Sequence, residues 1–73
     1  MKKTKHQTGF YMGSIHVRGD INELKDLVIE LRRVASEAGA DLSNYISDFC
    51  FAVETEYQLF YGLDENDFEK IKE

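Results

Sequence analysis

Few side chains in this 73-residue chain are equipped for chemistry: one cysteine, Cys50, two histidines, His6 and His16, and fourteen carboxylates. A thiol becomes a nucleophile when a base or cation stands beside it. Cys50 with His16 is the one nucleophile–base pair on offer, and it needs their two segments to be neighbours. Against it, a single cysteine in an apolar run is first a small buried packing residue, and one cysteine forbids an internal disulfide. Metal sites need several ligands at fixed spacing. With no paired-cysteine motif and no His-Glu-x-x-His, no metal or cofactor is expected. Asp64-Glu65-Asn66-Asp67 has the composition of a calcium loop without its central glycine or terminal glutamate, and reads instead as an acid-rich helix start. There is no glycine-rich phosphate loop. With no constellation of nucleophile, base and stabilising donors, an enzyme is not expected.

The carboxylates, by contrast, have informative spacing. On a helical wheel with Leu24 at zero, Glu23, Asp26, Glu30 and Glu37 fall between about 200° and 260°. They make one acidic stripe, with Arg33 beside it in reach of Glu30 and Glu37. Such a stripe is either an ordinary solvated face or a charge ladder presented to a basic partner. Glu54, Glu56, Asp64, Glu65 and Asp67 thicken it if they share its side. The candidate partner-binding residues are therefore Glu23, Asp26, Glu30, Glu37, Glu54, Glu56, Asp64, Glu65 and Asp67.

The element that must position the stripe spans residues 20–38. Leu24, Leu27, Val28, Leu31, Val34, Ala35 and Ala38 recur at helical spacing. Asp20 is the expected N-cap, with Glu23 three residues on, and Gly39 the expected left-handed stop. Leu31 is the expected centre of the buried stripe. Arg18-Gly19-Asp20 is also the integrin-binding tripeptide, but Asp20 already has a capping role. Ahead of this helix, Phe10–Val17 reads as one strand with a bulge or close approach at Gly13, and residues 1–8 as a flexible basic tail. Behind it, Asp41 or Ser43 can cap a helical turn through Leu42, Tyr45 and Ile46.

Residues 49–61 support two readings. At period two, Phe49, Phe51, Val53, Tyr57 and Tyr61 line one strand face. At helical period, Ile46, Cys50, Val53, Tyr57 and Phe60 line one helix face, stopped by Gly62-Leu63. The aromatic, β-branched composition and the need of the first strand for a partner favour the strand. Asp64–Glu73 closes the chain as a short helix. The expected architecture is a single α+β domain over residues 9–73, β-α-β-α, with a two-stranded sheet packed on one long helix. The alternative is mostly α, with 43–61 helical.

Charge bounds the partners. Residues 1–18 carry +4 and residues 19–73 carry −9, for a net −5. A body with this balance is repelled by bare nucleic acid, so the expected partner is a basic protein surface such as a DNA-binding channel. No run of about 18 apolar residues is present, which speaks against a membrane span. The start of the chain lacks a signal-peptide pattern, and a cytoplasmic setting is expected. In size and composition the chain resembles small phage-encoded host-takeover and anti-defence proteins. That resemblance implies an inhibitor or DNA mimic. Gln58-Leu59-Phe60 resembles, over three residues, the peptide that replication proteins insert into the sliding clamp. A homodimer is expected alongside that docking role, and the other functional expectation is a structural or adaptor domain that homodimerises through its aromatic strand face.

Overall fold

The computed structural model describes residues 6–72. Two strands, β1 (Gln7–Met12) and β2 (Ile15–Asp20), lead into three helices, α1 (Ile21–Ala38), α2 (Asn44–Tyr61) and α3 (Glu65–Lys72). The molecule is thus α+β, with a two-stranded sheet and a long helix packed on it. The strands are antiparallel, in register from Gln7 opposite Asp20 to Met12 opposite Ile15.

The sheet is built differently from the sequence expectation. Phe10–Val17 is not one strand but the heart of a hairpin, folded back at Gly13-Ser14. Gly13 has φ +66°, a backbone conformation that L side chains rarely adopt. A positive φ at the first turn residue alone is the pattern of a type II′ turn, whose twist matches that of paired strands. The hairpin also takes in Gln7 and Thr8, which the sequence assigned to a tail. Residues 1–5 of that tail lie outside the described residues.

With β1 and β2 satisfying each other's backbone groups, the first strand needs no partner from residues 49–61. That segment is helical, as in the alternative reading. The Ser43 hydroxyl accepts from the Ile46 N–H at 3.3 Å to start α2. Gly62, at φ +67°, ends it by donating its N–H to the Gln58 carbonyl. The Leu63 N–H reaches the same oxygen at 2.8 Å, and the Leu63 side chain packs on the core. Aromatic and β-branched content marks only a weak backbone preference, and burial of one helical face outweighs it.

The core is formed by Ile21, Leu24 and Val28 of α1, Phe49, Cys50, Val53 and Tyr57 of α2, and Phe68 of α3. The hairpin closes one side, β1 against α2 and β2 against α1, with Phe10 edge-on to Phe49 at 6.3 Å between centroids. Phe68 closes the other side, edge-on to Tyr57 at 5.7 Å. The buried stripe of α1 is rotated toward Ile21 and Val28, so Leu31 is half-buried at its margin rather than at its centre.

The α1 N-cap is where hairpin and helix are joined. Asp20 accepts from the Asn22 N–H at 3.0 Å and from the His6 N–H at 2.8 Å. The His6 bond, first among several backbone donors, holds the Asp20 carboxyl below the usual carboxylate range. Among the described residues, no helix is long and apolar enough to cross a membrane.

Candidate interaction surface

Glu23, Asp26, Glu30 and Glu37 are all exposed on the outer face of α1, as the wheel requires. Glu23 and Glu37 lie about 21 Å apart along the axis at 1.5 Å per residue. Their charge is partly compensated. Arg33 hydrogen-bonds Glu30 through Nη2 and Glu37 through Nη1, the latter at 3.0 Å. The Arg33 hydrogen bond and charge lower the Glu30 carboxyl, and the two glutamates raise the guanidinium. Asp26 accepts from Lys25 Nζ at 2.6 Å, and that ammonium also sits 5.5 Å from the Tyr57 ring centroid. Glu23 has no ion-pair partner among the described residues.

The sequence did not single out what lies between the acids. Leu27 is 40% exposed and Val34 50%. Glu23, Leu27, Glu30, Val34 and Glu37 step by four, three, four and three residues, which is one row of a helix surface. The outer face of α1 is therefore an interleaved row of three acids and two aliphatics. The signal is present in the spacing, but helical periodicity alone groups Leu27 and Val34 with the core stripe.

Glu54 and Glu56 do not extend this face. Glu54 is buried, gripped by Arg32 through Nε at 2.6 Å and Nη2 at 3.2 Å, so it ties α2 to α1 rather than offering charge to a partner. Burial alone draws the Arg32 guanidinium down, but the bonds and charge of Glu54 outweigh it and the net direction is up. Glu56 is half-buried, 2.6 Å from His6 Nε2, and His6 in turn stacks on Phe60 at 4.5 Å between centroids. Both glutamates leave the candidate surface because α2 is a helix, not a strand with a wet face. Asp64 and Asp67 start α3. The Asp67 N–H donates to Asp64 Oδ1 at 2.8 Å, and the Asp64 N–H reaches Asp67 Oδ2 at 3.5 Å. This is a reciprocal cap. Glu65 is exposed on α3.

Cys50 is fully buried, and burial pushes its thiol up, away from the thiolate that a nucleophile needs. His16 is exposed on the hairpin, stacked on Tyr11 at 4.6 Å between centroids. The Cys50–His16 pair is therefore not assembled. Gln58-Leu59-Phe60 lies inside α2 with Phe60 packed against the core, so it is not an extended docking peptide.

No protein-family model, no curated protein and no solved structure matches this chain.

Proposed function

We propose that the protein is a small acidic binding module that docks the outer face of α1 on a basic surface of a protein partner, in the manner of an inhibitor of a DNA-handling protein. The observation that supports this reading is the exposed row Glu23, Leu27, Glu30, Val34 and Glu37. Carboxylates speed encounter with a cationic surface and set its orientation, and the aliphatics between them supply apolar area that gives a contact its lifetime. A strict copy of a phosphate backbone needs a charge every 3.4 Å or so per strand and no apolar residues. The row is sparser and mixed, so it suits the rim of a nucleic-acid channel better than the phosphate track itself.

The open hairpin supports a second reading, self-association. A two-stranded sheet has two unpaired edges, and such edges pair readily. Ile15 at the hairpin tip and Leu27 and Val34 on α1 add exposed aliphatic surface. The aromatic strand face is broken up by the helix: Phe49, Val53 and Tyr57 are buried, while Phe51 and Tyr61 stay exposed on α2, so a homodimer would draw on these two rings as well as on the aliphatic groups.

The two readings separate in one experiment. Sedimentation with and without the partner recovered on an immobilised chain is run at low and moderate salt. The docking reading expects a complex that weakens as salt rises, whether the free species is 8.5 kDa or twice that mass. A free species of twice that mass, unchanged by salt, with no salt-dependent complex at either concentration, overturns it in favour of the dimer.

A further inference from the structure

A cleft of about 580 Å³ opens where the hairpin tip meets the start of α2, lined by Tyr11, Gly13, Ser14, Tyr45 and Asp48. We propose that this cleft is a subsite for a cationic side chain, an arginine guanidinium before a lysine ammonium. It rests on the docking reading only in taking the partner to be basic, and it lies apart from the α1 row.

Both tyrosines are exposed to an unusual degree, Tyr11 at 67% and Tyr45 at 66%, and neither belongs to the core. Each is nonetheless held. Tyr11 stacks on His16 across the hairpin. Tyr45 stands against the turn, so close that a Cβ on Gly13 would lie 3.4 Å from its ring. Large rings braced by the fold but left in water present a rigid apolar wall at little entropic cost. Asp48 follows Tyr45 by three residues, which brings its carboxylate to the same side of α2. Two electron-rich rings and one carboxylate form a cation site: the rings attract through their quadrupoles, and the carboxylate supplies the counter-charge. The planar guanidinium both stacks and pairs bidentately, which favours arginine over lysine. The same chemistry already operates inside the fold, where the Lys25 ammonium lies over the Tyr57 ring.

The test is amide chemical-shift titration of the full chain with N-acetylarginine amide, its neutral isostere N-acetylcitrulline amide, and the lysine analogue. The expected result is saturable shifts at Gly13, Ser14, Tyr45 and Asp48 with the arginine probe. Binding should be several-fold weaker for lysine and absent for citrulline. Asp48→Asn and Tyr45→Ala should each weaken arginine binding at least fivefold. Asp48→Asn keeps the side-chain shape, so it carries the test even if Tyr45→Ala disturbs the turn. A variant with Glu23, Glu30 and Glu37 changed to Gln should bind the probe as wild type does, which separates this site from the α1 face. Equal shifts from arginine and citrulline, shifts spread along α1 instead of the cleft, or no effect of Asp48→Asn would each overturn the proposal.

Discussion

Arg32 and Arg33 are neighbours in sequence that each bind glutamate, yet they contribute differently. Arg32 holds Glu54, whose side chain is only 11% exposed, whereas Arg33 holds Glu30 and Glu37, which are more than half exposed. Removing Arg32 strands a buried carboxylate, so Arg32→Ala should cost on the order of 2–3 kcal/mol. Arg33→Ala breaks only solvated pairs and should cost under about 1 kcal/mol. Urea unfolding of both variants checks the contrast. Asp20 supplies a pH dependence at the same scale. Its carboxyl is lowered by the His6 N–H bond and its neighbours, so its contribution is present above the unfolded value of about 3.9. That contribution is lost as pH falls through the lower folded value. Asp20→Asn should therefore flatten the acid limb of a stability–pH profile below about pH 4 and leave its shape near neutrality unchanged. The Asp20 cap was legible because a capping residue is recognised from a few neighbours. The burial of Glu54 was not, because it depends on α2 being a helix that faces Arg32.

At the scale of elements, the turn and the core stripe are the informative cases. Gly-Ser between two short apolar runs is a two-residue hairpin signal, and it divides residues 10–17 into two strands that pair with each other. A single strand there would lack a partner and need 49–61 in the sheet. Once the hairpin pairs with itself, the helical caps at Ser43 and Gly62 decide α2. Gly13→Ala forces an L-residue into φ +66° and should destabilise by about 1–2 kcal/mol, measurable as a lowered thermal midpoint. On α1, seven apolar positions announced a helix, but its exact rotation is set by what packs on it. Leu24 is 4% exposed and faces hairpin and α2 together. Leu24→Ala should cost about 2–5 kcal/mol, and Leu31→Ala clearly less. Equal losses for the two would mean that the stripe is centred as the sequence alone suggested.

At the scale of the whole molecule, a chain of this length is stabilised by on the order of 4–11 kcal/mol. The core that supplies this has no room for the α1 row: Leu27 and Val34 remain exposed among acids. The helix was legible from the sequence, but the mixed character of its outer face was not, because wheel position alone does not say where the neighbouring layer stops. The proposed contact through this face uses charge and apolar area together. Partner affinity across a salt series separates the two in three proteins: wild type, the Glu23→Gln, Glu30→Gln, Glu37→Gln variant, and the Leu27→Ser, Val34→Ser variant. The first variant should lose affinity at low salt and show a shallower salt slope. The second should lose affinity at every salt concentration and keep the wild-type slope. If both variants bind as wild type does, with the same slope, the outer face of α1 is not the docking surface.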